Sequence, residues 1–374
     1  MADTAAQYTA NDPDAPGFFD FESLLSTLES PLAPMDVATE PDDDLDDLSL
    51  IGRGDTGTVH RVKDKRTGTI FARKTIETRV EPMKNLLRLL SAVSAAPHEN
   101  IISFHGARIP PSRSKVHILM EYCEGGSLAS VSQRLKEIHA ILGEGIGGRL
   151  AHGILSGLAF LHTNDIIHSN LKPSNILLTR DGVVKLSDCG LWGVLEASLT
   201  VLVPTDSFYM APERIAGLPY TAQSDVWSAG ICLLEAFQQR FPYPENLPPI
   251  ELLMLIVAGE PPKLEDEGEL VWSSELKDFI RQMCCNLGSW KLRVDLCNLA
   301  VGHSAHRAEL GDDSGERRRL VILQDANNRS ATRSTVAALL THPWMEHAVA
   351  REIHMDKWIR KVWGWPKQRT VRDQ

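Results

Sequence analysis

Three glycines and a lysine in the first quarter of the chain have the spacing of a phosphate-binding site. The glycines are Gly52, Gly54 and Gly57, and Lys74 follows on a strand-like run. Glycines have no side chain, so backbone N–H groups can approach phosphate oxygens, and a lysine beyond the loop can contact them as well. The spacing alone is a weak signal, because dinucleotide-binding loops share it. Its place between two strands, with Val59 after it, favours a flap over nucleotide phosphates.

A second group of polar residues lies near the middle of the chain, in residues 168–175 (sequence HSNLKPSN) and at Asp188. Asn175 and Asp188 offer an amide and a carboxylate oxygen to a magnesium ion, and Lys172 lies between them and Asn170 in the sequence. Residues 168–175 resemble the catalytic loop of a protein kinase. In that loop the position of Asn170 holds an aspartate, which accepts or orients the hydroxyl proton of a substrate. An amide cannot accept that proton as a base. The pattern therefore predicts nucleotide binding and puts phosphoryl transfer in question.

Strand-like segments come first along the chain and helical segments later. The pattern predicts strands at 48–51, 59–62, 69–76, 101–104 and 116–122. It predicts helices at 82–94, 127–140, 146–163, 223–239, 250–258, 274–285, 332–340 and 346–362. This order is typical of an α+β protein in which a sheet-rich small lobe, residues 47–122, lies on a larger helical lobe, residues 123–366.

Two further motifs complete the layout of a protein kinase. Residues 210–214 (MAPER) resemble the A-P-E motif, and residues 224–230 (SDVWSAG) resemble the helix that anchors the catalytic loop. Glu213 should pair with a buried arginine late in the domain, and Arg329 is the candidate. The motifs occur in the right order at the right intervals, which predicts the two-lobed protein kinase fold. This layout assigns the nucleotide contacts to Ile51, Gly52, Gly54, Gly57, Val59, Ala72, Lys74, Met120, Glu121 and Cys123.

Four stretches resemble mitogen-activated protein kinase kinases more closely. They are residues 210–215 (MAPERI), 223–228 (QSDVWS), 241–244 (FPYP) and 362–365 (VWGW). The resemblance covers about residues 47–366, apart from one insertion. It implies a dual-specificity enzyme that uses ATP and Mg²⁺ to phosphorylate Thr and Tyr in the activation loop of a MAP kinase. It also implies an upstream kinase or a scaffold protein as partner.

The catalytic centre departs from the pattern of that family. The Arg and Asp of the catalytic loop are Ser169 and Asn170. The helix glutamate that should pair with Lys74 aligns with Leu89 when counted back from the next strand, and with Ser91 when counted forward from the lysine. Neither residue is acidic. These changes weigh against phosphoryl transfer, because the Lys–Glu pair is part of the assembled active state.

The activation segment departs from the pattern as well. Ser198 keeps one regulatory phospho-acceptor, but Leu202 stands at the second. The Gly-Thr pair of the family is Thr205-Asp206. One hypothesis is that Asp206 returns a carboxylate to the neighbourhood of Asn170. The alternative is that both positions changed together once activity was lost.

Two hypotheses about function follow. The first is a MAP-kinase-kinase-like pseudokinase that binds ATP, transfers phosphate poorly or not at all, and acts as a scaffold or allosteric partner in a kinase cascade. The second is a working dual-specificity kinase that phosphorylates a MAP kinase. Lys74, Lys172, Asn175 and Asp188 support nucleotide binding in both, whereas Asn170 favours the first.

The charge distribution bounds the kind of partner. The chain carries a net charge of −10, and residues 1–52 hold 13 acidic residues and no basic residue, so the remainder carries +3. A nearly neutral globule argues against nucleic-acid binding, which needs a basic face. No run reaches the ~18 apolar residues of a membrane helix. The first residues lack the basic and apolar pattern of a signal peptide, and the cysteines lack metal-ligand spacing, so we expect a reduced, cytoplasmic protein without a membrane contact.

Three segments lie outside the expected domain. Residues 1–46 read as an acidic disordered tail without the basic docking segment of the family, and residues 18–28 are either a short amphipathic helix or an unstructured patch. Residues 367–374 form a C-terminal tail. Residues 288–324 interrupt the run into the last helices. Our interpretation is that they are the product of a retained intron. One alternative is a genuine disordered loop, and another is a functional loop with a docking patch at 317–319.

Overall fold

The computed structural model describes residues 37–38, 44–54, 57–77, 80–108, 115–190, 207–218, 220–244, 246–284 and 333–366. Other expectations concern residues outside those ranges: the possible helix at 18–28 and most of the 1–46 tail, the insertion at 288–324, the tail at 367–374, and Ser198, Leu202, Thr205, Asp206 and Arg329.

The small lobe is built on one sheet of six strands. The strands are β1 (Val37–Ala38), β2 (Leu45–Gly54), β3 (Gly57–Asp64), β4 (Ile70–Glu77), β5 (Phe104–Arg108) and β6 (Lys115–Glu121). Their order across the sheet is β1-β5-β6-β4-β3-β2, with antiparallel pairs except for the parallel pair of β1 with β5. Along β6 the side chains of Val116, Ile118 and Met120 are buried at every second position, as expected for a half-buried strand.

One helix of the small lobe, α1 (Val80–Ala95), packs its apolar face into the core. Leu86, Leu89, Leu90 and Val93 are all buried, at the i, i+3, i+4 and i+7 spacing of one helix face. These four side chains therefore hold α1 against the core with one fixed side facing inward.

The large lobe is mainly helical. Its helices are α2 (Leu128–Glu137), α3 (Glu144–Thr163), α4 (Pro212–Ile215), α5 (Ala222–Gln238), α6 (Pro249–Ala258), α7 (Ser274–Cys284), α8 (Val336–Leu340), α9 (Pro343–Ala350) and α10 (Met355–Trp363). A small sheet of β7 (Gly126–Ser127), β8 (Ile176–Leu178) and β9 (Val184–Leu186) lies beside them. Most of α5 is buried, and Trp227 and Phe237 are among its fully buried side chains. This arrangement confirms the predicted α+β, two-lobed fold.

Several element boundaries differ from the sequence-based expectation, and the helix expected at 332–340 begins at Val336. The strand expected at 101–104 begins at Phe104, and the first strand of the domain begins at Leu45 rather than at residue 48. The single helix expected at 346–362 is two helices, α9 and α10. The Arg149 side chain from α3 donates hydrogen bonds to the carbonyl oxygens of Val349 and Arg351, at 3.0 and 2.7 Å, and so satisfies the end of α9.

None of the helices in the described ranges is long and apolar enough to cross a membrane.

Candidate nucleotide site

The glycine loop joins β2 to β3 at the edge of the small-lobe sheet. Gly54 pairs with Gly57 across the turn, and Gly52 pairs with Val59. Gly57 has a φ of 137°, and a Cβ there would overlap the carbonyl oxygen of Thr75 on β4. Only glycine fits this position, so the loop lies directly against the strand that carries Lys74.

Lys74 lies deep in the site and forms an ion pair with Asp188. The Lys74 side chain is buried, with 3% of its surface exposed. Its Nζ lies 2.6 Å from Oδ2 of Asp188. On the sheet, Lys74 pairs with Val59 of β3 and with Ile118 of β6. The sheet register therefore holds the lysine below the glycine loop and directs its amine to Asp188, the first residue of the triplet Asp188–Gly190.

Leu89 occupies the position on α1 that faces this triplet. It is 2% exposed, and a Cβ placed on Gly190 would lie 3.2 Å from each of its two methyl carbons. Ser91, the other residue considered for the missing glutamate, is partly exposed. An apolar side chain thus stands where the family has its glutamate. Asp188 is the carboxylate that pairs with Lys74 among the described side chains.

The catalytic loop is held through its backbone by Asp225 of α5. The Asp225 carboxylate accepts hydrogen bonds from the backbone N–H groups of His168 (2.8 Å) and Ser169 (2.9 Å). Its Oδ2 also lies 2.8 Å from Nε2 of His162. Ser169 has a φ of 62°, an uncommon conformation for serine. These contacts position the loop without using the side chains of Ser169 or Asn170.

Asn175 is tied to the same loop and to the strand before Asp188. Its Nδ2 donates to the carbonyl oxygen of Asn170 at 2.8 Å, and its own carbonyl oxygen accepts from the Ser187 N–H at 3.0 Å. The N–H of Gly190 donates to the carbonyl oxygen of His168 at 3.0 Å. With its amide nitrogen engaged, Asn175 has its side-chain oxygen left to offer a metal ion. The structure therefore brings Asn170, Asn175 and Asp188 together.

Two buried side chains lie behind this cluster. His168 is fully buried, and burial lowers the pKa of its imidazole, a shift that the nearby Asp225 carboxylate opposes. Cys189 stands where the family has phenylalanine, and its Sγ lies 3.8 Å from the carbonyl oxygen of Leu186. Burial raises the pKa of this thiol, so it stays protonated. Both side chains act as neutral packing groups.

The segment from Met120 to Cys123, called the hinge below, connects β6 to the large lobe and holds three of the expected nucleotide contacts. Met120 is buried and pairs with Ala72 of β4. The Glu121 carboxylate binds the Ser103 N–H at 3.1 Å and Nζ of Lys185 at 2.9 Å. These contacts hold the Glu121 side chain between the two lobes.

Cys123 and the glycines after it form the next part of this connection. Burial raises the pKa of the Cys123 thiol to about 12, with a smaller contribution from Glu121. Behind it, Trp363 of α10 donates its indole N–H to the carbonyl oxygen of Gly125 at 3.0 Å. The last helix thus supports the connection from the side away from the glycine loop.

The ion pair of Glu213 differs from the sequence-based expectation. The structure pairs Glu213 with Arg333, at 2.7 Å between Oε1 and Nη1, whereas the expected partner, Arg329, lies outside the described residues. The two arginines are four residues apart in sequence, so the motif order alone did not distinguish them. The contact partner is instead set by the segment before α8, where Arg333 Nη1 also reaches the carbonyl oxygen of Gln223.

The residues present fit the phosphates of a nucleotide better than they fit a free metal ion. Lys74, Lys172 and the glycine loop provide cationic and N–H groups, whereas the metal would be held by the single carboxylate of Asp188 and the amide of Asn175. No group of three His, Cys, Asp or Glu side chains with metal-binding geometry is found in the described parts of the chain. Asn175 and Asp188 are the residues that would hold a magnesium ion, which would supply positive charge to the phosphates.

Comparison with known proteins places these features in a family. The model of the protein kinase domain matches residues 45–294. The mitogen-activated protein kinase kinase mkk2 of Aspergillus fumigatus is 36% identical over 359 residues, which is 89% of this chain and 62% of that protein. The MAP kinase kinase skh1/pek1 of Schizosaccharomyces pombe is 34% identical over 323 residues, 85% of this chain and 77% of that protein.

A budding-yeast relative gives the same result over more of the chain. The MAP kinase kinase MKK1/SSP32 of Saccharomyces cerevisiae is 30% identical over 398 residues, 96% of this chain and 70% of that protein. The chain spans 54–62% of the length of mkk2 and two further fungal relatives.

Proposed function

This chain belongs to the MAP kinase kinase family of protein kinases, and from that premise we propose that it binds ATP within a MAP kinase cascade but transfers phosphate poorly or not at all. In this proposal it acts as a pseudokinase scaffold or allosteric partner. The observation that carries the proposal is Asn170, an amide at the base position of a loop whose backbone Asp225 holds in place.

Nucleotide binding is supported by the groups that remain. The glycine loop lies against β4, Lys74 is buried, Asp188 pairs with it, and Asn175 is bound to the 168–175 loop. Protein kinases use ATP and Mg²⁺, and these are the residues that would contact both. The hinge residues Met120 and Cys123 would hold the adenine.

Impaired transfer is supported by two absences at the chemical centre. Asn170 cannot act as a base, and loss of a catalytic base costs on the order of 10²–10⁴ in rate. Leu89 cannot form the helix ion pair with Lys74, which is part of the active arrangement in this family. The two effects fall on the transfer step and leave the phosphate-binding groups in place.

An active dual-specificity kinase is the second candidate. It is favoured by the intact set of Lys74, Lys172, Asn175 and Asp188 and by the ordered geometry of the catalytic loop. In this case Asp206 would supply the missing carboxylate, as a hypothesis that concerns a residue outside the described ranges. For both candidates we propose the same partners, namely a MAP kinase and an upstream kinase or scaffold. We also propose a cytoplasmic location for both.

Two assays distinguish these candidates. The first measures the shift in melting temperature on adding ATP with Mg²⁺. The second measures phosphate transfer to a catalytically dead MAP kinase, with K74M as the matched control. We expect a shift in the first and no transfer above the K74M level in the second. Transfer that K74M abolishes would refute the pseudokinase proposal, and absence of any shift would refute ATP binding.

A further inference from the structure

The sheet of the small lobe has a second face, which lies opposite α1. Ala72 and Ile76 of β4 are buried in the core that includes α1, so Arg73 and Thr75, which alternate with them, lie on the other side of the sheet. We call this side the outer face. Two adjacent rows of paired residues cross it, namely Arg53, Thr58, Thr75, His117 and Arg108, and Leu50, His60, Arg73, Leu119 and Gly106. These rows hold three arginines, two histidines and no carboxylate, and a surface of this charge favours an anionic partner.

An acidic segment of the chain connects the two edges of this sheet. The strand β1 lies at one edge, where Ala38 pairs with Arg108, and β2 lies at the opposite edge and begins at Leu45. Residues 39–44 (TEPDDD) join them and hold four acidic side chains. Seven residue steps reach about 25 Å when extended, and the two edges of a flat six-stranded sheet are about 24 Å apart. The segment therefore has no length for a path around the lobe and has to pass over one face.

The described end of this acidic run already lies against cations of the sheet. The backbone N–H of Lys65 donates to the carbonyl oxygen of Asp44 at 2.9 Å. Three residues further on, the two carboxylate oxygens of Asp47 lie 2.8 and 2.9 Å from Nη2 of Arg73, which stands in the middle of the second row. The direction of the run at this end therefore leads onto the outer face.

Side chains on the outer face are shielded from water. Val62, two residues after His60 on β3, is fully buried although it lies outside the core cluster that α1 joins. The Arg73 side chain exposes 12% of its surface. Nδ1 of His60 is buried and has no hydrogen-bond partner among the described residues. Because α1 packs on the other face, this shielding fits a further segment that lies over the outer face.

We propose that the outer face of the small-lobe sheet is the docking surface for the acidic segment, residues 39–44, of the same chain. The carboxylates of Glu40, Asp42 and Asp43 bind the arginines and histidines of the two rows, and the segment ties one edge of the sheet to the other. This assignment does not depend on nucleotide binding, because Lys74 and the nucleotide site lie on the opposite face.

Limited proteolysis of the full chain with a protease that cleaves before aspartate tests the proposal. Cleavage before Asp42 and Asp43 is compared with cleavage before Asp12 and Asp14, each rate divided by that for the same bond in a free synthetic peptide. We expect cleavage at Asp42 and Asp43 to be about tenfold slower, as a few weak surface ion pairs together would give. In about 1 M NaCl, where the screening length is about 3 Å, the difference should vanish.

Two results of this experiment would overturn the proposal. Equal rates at low salt would show that the segment is not bound and would leave the outer face to a separate anionic protein. Protection that salt does not change would show that charge does not hold the segment.

Reversing a charge in the segment provides the second arm. E40K changes the acidic segment itself, and E22K makes the same change earlier in the tail and serves as the matched control. We expect E40K to reduce the protection of Asp42 and Asp43 by about threefold, the share of one surface ion pair, and E22K to leave it unchanged. Equal protection in the two variants would contradict the role of charge.

Reversing a charge on the sheet identifies the face. R108E places a carboxylate at the end of the first row, and K136E, at an exposed lysine of α2, is the control. We expect R108E to reduce the protection and K136E to leave it unchanged, with melting curves used to confirm that both variants fold. An R108E variant that melts like the wild type and keeps full protection would overturn the assignment to this face.

Discussion

Arg333 binds both oxygens of Glu213, through Nη1 at 2.7 Å and Nη2 at 3.2 Å, across 120 residues of sequence. Both side chains are buried, and the Ser224 hydroxyl donates to Oε1 of the same carboxylate at 3.1 Å. The pair links the segment before α8 to the start of α4 and α5. It therefore connects the C-terminal part of the large lobe to its middle part.

Removing the Arg333 guanidinium is expected to destabilise the fold strongly. R333M leaves the Glu213 carboxylate buried without its partner, which costs about 3–5 kcal/mol of unfolding free energy. Urea denaturation at neutral pH measures the loss. R240M is the control, because Arg240 and Glu267 form an exposed pair worth about 0–1 kcal/mol. Equal losses for the two variants would contradict the role given to Arg333.

The same pair predicts a loss of stability in acid. Burial raises the pKa of Glu213, but the charge and hydrogen bonds of Arg333 lower it by a larger amount. The pKa therefore lies below its ordinary value of 4.5. A carboxyl with a lowered folded-state pKa stabilises the protein above the unfolded value, and this contribution is lost as pH falls through the folded value. The stability difference between wild type and E213Q should therefore shrink below about pH 4.5. A difference that does not change with pH would contradict this linkage.

The Lys74–Asp188 ion pair should show strong coupling in a double-mutant cycle. K74M and D188N each leave one partner unpaired, whereas the double variant removes both charges, so we expect the double loss to be smaller than the sum by about 1–3 kcal/mol. Thermal denaturation of the nucleotide-free protein measures it. The exposed Lys277–Asp266 pair serves as the comparison and should show little coupling. Additive losses at residues 74 and 188 would contradict the pairing.

Phosphoryl transfer should respond to a single substitution at the base position. N170D restores a carboxylate in a loop that Asp225 already positions, so we expect transfer to a catalytically dead MAP kinase to rise by on the order of 10²–10⁴. N170D combined with D188N should lose the gain, because the metal-binding carboxylate is then absent. No increase in N170D would locate the defect elsewhere, with Leu89 as the next position to change.

Deletion of residues 288–324 is expected to leave the fold intact. Ser334 Oγ donates to Oε1 of Gln282 at 2.8 Å, so the chain returns to the place from which it left. Shortening the connection about fourfold reduces the entropy cost of closing it, which should raise stability by about 1 kcal/mol. Thermal denaturation and ATP titration of the deletion variant test this. A destabilised variant would show that the segment packs on the domain.

The origin of that segment is tested separately, by sequencing transcripts across residues 287 and 325. Reads without the segment are expected if it is a retained intron. Reads that all retain it would refute that interpretation and leave the loop.

The local motifs could be predicted from the sequence, whereas contacts between residues distant in sequence could not. The glycine loop, Lys74 and the 168–175 loop each depend on a few adjacent residues, so their spacing predicted the fold; the roles of the site residues stay a prediction. The length of the segment between β4 and β5 left both Leu89 and Ser91 as possible positions of the helix glutamate that pairs with Lys74 in the family. The three-dimensional contact with Gly190 selects Leu89.

Two of the differences between sequence-based expectation and structure involve contacts between distant segments. The choice between Arg329 and Arg333 depends on how a long segment returns to α5, which residue spacing does not encode. At the break between α9 and α10, two carbonyl oxygens accept hydrogen bonds from the Arg149 side chain, which comes from a helix some 200 residues earlier. Long-range contacts of this kind override local helical periodicity.

The contact of Asp225 with the catalytic loop has one more consequence. The carboxylate binds only backbone N–H groups there, of His168 and Ser169, and every residue except proline offers such a group. Exchange of the side chain at position 170 therefore leaves these two hydrogen bonds in place, whereas the φ of 62° at position 169 restricts the residues that fit there. Geometry and reactivity are separable in this protein, so catalytic competence can be lost or regained while the architecture around it stays the same.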